Sequence, residues 1–130
     1  KYYRGYYSDR EQIDPQVRAK HDNFGKLLKG FGFDLVARPL KKIFTNIEKT
    51  KIIYKCDFDG EIGFDVATNL YLADLVILIS GDSDFTFLEK RLGKYKKSFL
   101  VICFHSKVPW EFTLINHIYF EDIREEIELK

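Results

Sequence analysis

Apolar residues along the chain follow two alternating patterns of spacing. Short runs rich in Val, Ile, Leu, Tyr and Phe are typical of strands. Between these runs, apolar positions recur every three or four residues, which predicts helices with one apolar face. The predicted strands cover residues 2–7, 34–40, 51–56, 75–79, 99–104 and 118–120, and the predicted helices cover residues 15–30, 60–74, 85–93, 109–116 and 123 onward.

The alternation of strands and helices predicts an α/β fold: an open, mostly parallel sheet with helices on both faces, in three layers. The run Leu75–Ile79 is continuously apolar, so we expect a strand covered on both faces. Asp14 and Pro15 give the first helix a capping residue and a favourable first position. A length of 130 residues favours a single domain over residues 1–130.

The formal net charge of +1 gives no general basic field of the kind that indicates nucleic acid. The charges are nevertheless segregated along the chain. Basic residues concentrate in 38–55 and 90–97, and acidic residues in 57–65, at 82 and 84, and in 121–128. An ordinary solvated surface accounts for each cluster taken alone. The alternative is a pocket of acids that binds cations, flanked by lysines that contact a polyanion.

Cys56 and Cys103 lie in strand-like apolar runs and are too few for a disulfide framework. We interpret them as small core residues of a reduced, cytoplasmic protein, and neither has a partner at zinc-ligand spacing. The histidines, His21, His105 and His117, are interpreted as structural. No apolar run approaches the roughly 20 residues that span a bilayer, so no membrane partner is expected.

Two carboxylates follow directly after the predicted strand 75–79, in the sequence SGDSDF. Ser80 and Gly81 allow the backbone to turn sharply, and Asp82 and Asp84 then lie at the end of the strand. Two like charges held close together are unfavourable unless a cation offsets them. The alternative is that these are loop carboxylates, with Asp84 capping the helix that begins near Phe85.

A second acidic cluster follows the strand 51–56 and consists of Asp57, Asp59, Glu61 and Asp65. Glu61 and Asp65 lie one helical turn apart, with Asn69 one turn further. Acids at a helix start are also favoured by the helix dipole, which is the alternative explanation. In open α/β sheets, ligands bind beyond the carboxyl ends of the strands. Carboxylates from two strand ends suit Mg²⁺ or Mn²⁺.

Three features occur in order along the chain: Lys55, the segment DGEIGFD at residues 59–65, and DLVILISGDSDF at residues 74–85. Together they resemble the pattern of the NYN domain family, whose members are PIN-like, metal-dependent ribonucleases. The resemblance covers nearly the whole chain and implies a PIN-like fold. It implies a Mg²⁺ or Mn²⁺ site that hydrolyses RNA phosphodiester bonds, with the metal held by Asp59, Asp65, Asp82 and Asp84. Residues proposed to contact the RNA are Ser80, Lys55, Arg38 and Asn69, and Tyr6 or Tyr7 would stack on a base.

The chain departs from the family pattern in two places. Family members begin with a strand that carries an aspartate, and by resemblance that strand lies in the centre of the sheet. This chain starts at what resembles the second strand, so we expect the missing strand upstream of Lys1 or from another molecule. Without it, one metal ligand would be missing. Asn116 also stands where the family usually has an acid.

Two other functions are alternatives to the ribonuclease. The same fold could be a non-catalytic module that binds RNA or a protein partner. Alternatively, Asp57-Phe58-Asp59-Gly60 resembles the nucleophile motif of haloacid-dehalogenase-like phosphatases, with GDSD as their late acidic motif. The separation of these two segments is too short for the elements that such enzymes place between them. RNA is the expected partner, as the resemblance to the NYN domain family implies, and a homo-oligomer is left open.

Overall fold

The structure is a computed structural model that describes residues 1–128. It consists of two compact units, of which the first is Lys1–Phe58 and the second begins at Asp59. Both units contain parallel strands and helices, which confirms the predicted α/β class. Among the described residues, the hydrogen-bonded strands form three small sheets. The continuous sheet in three layers stays a prediction, as does the single domain.

The first unit contains a parallel strand pair, a helix and a hairpin. Its elements are β1 (Tyr2–Tyr6), α1 (Pro15–Gly30), β2 (Leu35–Pro39), β3 (Lys41–Phe44) and β4 (Ile52–Lys55). Strands β1 and β2 are parallel, with Tyr2 opposite Leu35. The predicted helix start is confirmed, since the Asp14 carboxylate accepts a hydrogen bond from the Gln16 amide at 2.7 Å.

Strand β3 was not predicted, and it forms an antiparallel hairpin with β4. The sequence Lys41-Lys42 breaks the apolar pattern, so residues 41–44 lack the periodicity that marks a half-buried strand. All four residues of β3 are exposed, which is why their sequence carries no burial signal. This pair is the antiparallel exception to the mostly parallel arrangement.

The second unit is built on a three-stranded parallel sheet, in the order β5-β6-β7. Its elements are α2 (Asp59–Thr68), β5 (Leu75–Ile79), α3 (Phe87–Gly93), β6 (Ser98–Cys103), β7 (His117–Tyr119) and α4 (Arg124–Ile127). The predicted helix at 109–116 is a 3₁₀ segment over Trp110–Leu114. The main core of this unit consists of Phe85, Leu88, Leu92, Phe99, Val101, Cys103 and Phe112.

The expectation that β5 is covered on both faces is wrong. Val76 and Leu78 pack against the core, but Leu75, Ile77 and Ile79 are 45%, 52% and 64% exposed. A strand alternates its side chains between two faces, and a uniformly apolar run does not reveal which face is covered. The apolar run nevertheless located the strand at the residues where it forms.

Helix α2 ends at Thr68, six residues before the predicted end. The Asn69 amide nitrogen donates to the Asp65 carbonyl at 2.7 Å, and the Thr68 hydroxyl donates to the Phe64 carbonyl at 2.9 Å. The Asp65 carbonyl also accepts from the Asn69 backbone amide at 3.2 Å, so these side chains bond to carbonyls of the last helical turn in addition to its backbone amides. Within residues 1–128, no helix combines the length and apolar character needed to cross a membrane. The cytoplasmic location and the homo-oligomer stay predictions.

An ion pair joins the beginnings of β5 and β6. Lys97 donates to the Asp74 carboxylate at 2.7 Å, and this hydrogen bond, with the charge of Lys97, lowers the pKa of Asp74 below its ordinary value. The stabilisation is therefore present above the ordinary carboxyl pKa of about 3.9 and is lost as the pH falls through the lower folded-state pKa.

Replacing Lys97 with glutamine is expected to raise the pKa of Asp74 towards its ordinary value, because the charged donor is removed. A pH titration of the Asp74 carboxyl by NMR measures this directly. The exposed Lys94 of the same segment gives the matched control Lys94→Gln, which should leave the titration unchanged. An unchanged Asp74 titration in Lys97→Gln would contradict the assigned cause.

Candidate metal centre

The loop between β5 and α3 is held by a series of local hydrogen bonds. The Ser80 amide donates to the Ile102 carbonyl at 3.2 Å, which extends the pairing of β5 with β6 by one residue. The Ser80 hydroxyl accepts from the Asp82 amide at 3.1 Å, and the Asp82 carboxylate accepts from the Asp84 amide at 3.0 Å. The loop therefore fixes Asp82 relative to the end of the strand.

Asp82, and not Asp84, is the capping carboxylate of this segment. It caps a 3₁₀ turn over Ser83–Phe85, and α3 begins only at Phe87. The suggestion that Asp84 caps a helix starting near Phe85 is therefore wrong. An aspartate that accepts from the amide two residues later is a local Asx turn, so Asp82 itself, directly after Ser80 and Gly81, was the available sequence signal. Only one Asp82 oxygen takes part in this bond.

Asp59 is the first residue of α2, where the helix dipole favours a negative charge. One carboxylate oxygen each from Asp59, Asp82 and Asp84 can be chosen so that all three lie within 4.8 Å of one another. All three residues are exposed. The second unit thus brings together acids that are 23 and 25 positions apart in the sequence.

The three carboxylates are chemically suited to a hard divalent cation. Mg²⁺ binds oxygen ligands at about 2.0–2.1 Å, so two ligands on opposite sides of the ion are about 4.2 Å apart. The observed spread of at most 4.8 Å needs only small side-chain adjustments to match that geometry. Exposed acidic groups are also common in proteins without a metal, so the carboxylate cluster defines a candidate site.

Asp65 lies outside this group of three, among the residues that the structure describes. It is half-buried on α2, six positions after Asp59. Six positions on an α-helix correspond to about 600° of rotation, so the two side chains leave the helix on different sides. The Asn69 side chain, predicted to contact substrate, instead donates to the Asp65 backbone carbonyl. The direct or water-mediated role of Asp65 at the metal stays a prediction.

The remaining predicted contacts lie in the first unit. Lys55 is the last residue of β4, and Arg38 lies in β2, where its guanidinium donates to the Asp57 carbonyl at 3.4 Å. Tyr6 is 42% exposed, whereas Tyr7 is half-buried against Tyr54. Exposure therefore favours Tyr6 over Tyr7 as a base-stacking residue, and the contacts of this unit with RNA stay predictions.

The two cysteines differ in environment. Cys103 is buried in the core of the second unit, and burial raises the pKa of its thiol. Cys56 is half-buried, and both thiols are free. These observations confirm that neither cysteine forms a disulfide. Among the residues the structure describes, neither belongs to a group of three metal-ligating side chains.

Comparison with protein families identifies the chain. The NYN domain family matches residues 4–124, which is nearly the whole length and spans both units. The chain belongs to the NYN domain family. The resemblance based on residues 59–65 and 74–85 is thereby confirmed. Family membership, with the Asp59, Asp82 and Asp84 cluster, indicates a nuclease-like domain.

This NYN domain is also similar to a solved structure. The similar protein is VPA0982 from Vibrio parahaemolyticus, described as a protein of unknown function. The two share 24% sequence identity with a TM-score of 0.65, and the match covers 92% of this chain and 68% of that one. The likeness extends to the fold alone. No curated protein matches the chain at a significant level.

Proposed function

We propose that this NYN domain is a ribonuclease that hydrolyses RNA phosphodiester bonds with Mg²⁺ or Mn²⁺. One observation carries the proposal. In a chain of a nuclease-like family, the fold gathers Asp59, Asp82 and Asp84 within 4.8 Å. A carboxylate cluster of this kind suits oxygen-ligated cations rather than thiol- or imidazole-ligated ones.

In this proposal, Asp59, Asp82 and Asp84 hold the cation, and Asp65 contributes directly or through water. A divalent cation held there supplies Lewis-acid chemistry, which activates water and offsets negative charge on the phosphodiester. The protein itself positions the carboxylates through local hydrogen bonds. The Asp84 amide holds one oxygen of Asp82 at 3.0 Å, and the Ser80 hydroxyl holds the Asp82 amide. Both bonds limit how far the carboxylates move before a metal binds.

Two positively charged side chains are proposed to bind the RNA substrate. Lys55 and Arg38 would contact phosphates, which positions RNA without selecting its sequence. Ser80 and Asn69 complete the set of proposed contacts, although hydrogen bonds within the protein occupy part of the capacity of each side chain. No ionised His or Cys nucleophile is required, because the attacking group is water.

Cleavage of RNA by the purified chain is expected to require a divalent cation. An end-labelled, unpaired RNA should be cut in Mn²⁺ or Mg²⁺, remain intact after chelation, and be cut again when the metal is restored. Gel analysis of the RNA measures the products. A control with the chelator alone, followed by excess Mn²⁺, separates metal loss from irreversible inactivation.

Cleavage that continues unchanged in the chelator would contradict a metal-dependent mechanism. RNA that binds but stays intact in every metal would favour the alternative, a non-catalytic RNA-binding module on the same fold. Neither result would alter the family assignment, which depends on the match over residues 4–124.

A further inference from the structure

The β3–β4 hairpin carries a strong local excess of positive charge. We refer to residues 41–55 as the basic hairpin. It contains five lysines and one glutamate, which leaves a net charge of four positive: Lys41, Lys42, Lys49, Lys51, Lys55 and Glu48. The whole chain has a net charge of only +1, so this segment is distinctly more basic than the rest of the chain. Thirteen of its residues are exposed, with only Asn46 and Tyr54 half-buried.

Two of these lysines lie directly opposite each other. In the antiparallel register, Lys41 pairs with Lys55, and Ile43 pairs with Ile53. Like charges at directly opposed positions destabilise a sheet. By contrast, Lys42 points to the other face, where the Glu11 carboxylate lies 3.7 Å from its ammonium group. The protein therefore maintains an unfavourable lysine pair that a bound anion would stabilise.

The same face of the basic hairpin also exposes apolar surface. Residues two positions apart in a strand share a face, so the isoleucine pair lies beside the lysine pair. Ile43 and Ile53 are 39% and 38% exposed. Adjacent charged and apolar surface matches an unpaired nucleic-acid strand, which presents phosphates next to accessible bases. A duplex encloses its bases and offers less for the isoleucines to contact.

We infer that the basic hairpin binds single-stranded RNA, with Lys41 and Lys55 contacting phosphates and Ile43 and Ile53 contacting bases. The preference for a phosphate polyanion comes from the charge and register of the hairpin. The choice of RNA as that polyanion rests on the proposed function. Binding is independent of sequence, because a lysine ammonium contacts phosphates without reading base edges.

The test compares the wild-type chain with the double variant Lys41→Gln/Lys55→Gln. Binding of a fluorescently labelled, unpaired RNA is followed by polarisation over a series of salt concentrations, in chelator so that no cleavage occurs. Each phosphate of a single strand that the protein neutralises contributes about 0.7 to the log–log salt slope, so removing both lysines should decrease the slope by about 1.4. At low salt, affinity should fall on the order of tenfold.

Two further variants separate binding from folding. Lys26→Gln/Lys29→Gln removes the same charge from exposed positions of α1 and should leave the salt slope unchanged. Lys41→Glu places opposite charges across the hairpin, so its melting temperature should rise or stay unchanged while RNA affinity falls. A folding defect would instead lower both together.

Three results would overturn the inference: wild-type protein that does not bind RNA, an unchanged affinity and salt slope in the double variant, or equal binding of polyglutamate in place of RNA. Because binding is measured in chelator, the outcome does not depend on catalysis. If the wild-type chain binds RNA through the basic hairpin but does not cleave it, only the proposed ribonuclease function is contradicted. If the double variant cleaves RNA and binds it as the wild type does, only the role of the basic hairpin in RNA binding is contradicted.

Discussion

Replacing Asp82 with asparagine is expected to reduce metal-dependent RNA cleavage on the order of a hundredfold or more, since loss of even an outer-shell partner of a metal costs about 10- to 100-fold. The substitution removes one negative charge from a group in which three carboxylates lie within 4.8 Å. It preserves the side-chain carbonyl oxygen, which can still accept the hydrogen bond from the Asp84 amide. The expected loss is therefore specific to metal binding.

Asp82→Ala provides the complementary comparison. Alanine removes both the charge and the acceptor, so we expect an additional loss of about 1 kcal/mol of stability from the missing cap. Asp82→Asn should melt close to the wild type. A difference in melting temperature between the two variants, with cleavage low in both, separates the two functions of this side chain.

Asp122→Asn is the matched control, because Asp122 is an exposed carboxylate outside the cluster. It should retain wild-type cleavage in Mn²⁺. Calorimetric titration should show weaker Mn²⁺ binding in Asp82→Asn than in the wild type and in Asp122→Asn. Full activity in Asp82→Asn, with unchanged Mn²⁺ affinity, would exclude the proposed metal site while leaving the fold intact.

Truncating Phe112 to alanine is expected to lower the free energy of unfolding by about 3–5 kcal/mol. Phe112 is fully buried and lies in the core cluster with Leu92 and Val101. Its removal forfeits apolar burial and leaves a cavity that the surrounding side chains fill only in part. Because whole domains are stable by only about 5–15 kcal/mol, this one substitution is a large fraction of the total.

Urea unfolding followed by circular dichroism measures the free energy of unfolding of Phe112→Ala and of the wild type. Phe64→Ala is the matched control, since Phe64 is 69% exposed on α2. It should change the free energy of unfolding by no more than about 0.5 kcal/mol. A loss of less than about 1 kcal/mol in Phe112→Ala would contradict its placement in the core.

Several elements were predictable from the sequence because their signals are local. The run at 75–79 forms β5 at the predicted residues, and Asp14 with Pro15 begins α1 as expected. Each signal involves neighbours in the chain: apolar side chains in succession, or a carboxylate two residues from the amide that donates to it. The NYN resemblance also depends on contiguous segments, and the family match over residues 4–124 confirms it.

The candidate site was predictable only in part. The sequence singled out Asp59, Asp82 and Asp84, and the second unit brings these three together. It also singled out Asp65, which lies close to Asp59 in the chain. Asp65 is not among the three carboxylates that lie within 4.8 Å of one another, and its role at the metal stays a prediction. Spacing in the chain identifies candidate acids, whereas the folded backbone decides which of their carboxylates lie close together.

The sequence alone determined the family, the strand that leads into the SGDSDF loop, and the acids available as metal ligands. Only the tertiary structure decided which face of β5 is covered, which carboxylates converge, and that Lys41 faces Lys55. The physical reason is that local signals depend on a few adjacent residues. Burial, convergence and cross-strand register depend on contacts between residues far apart in the chain, which the pattern of any one segment does not contain.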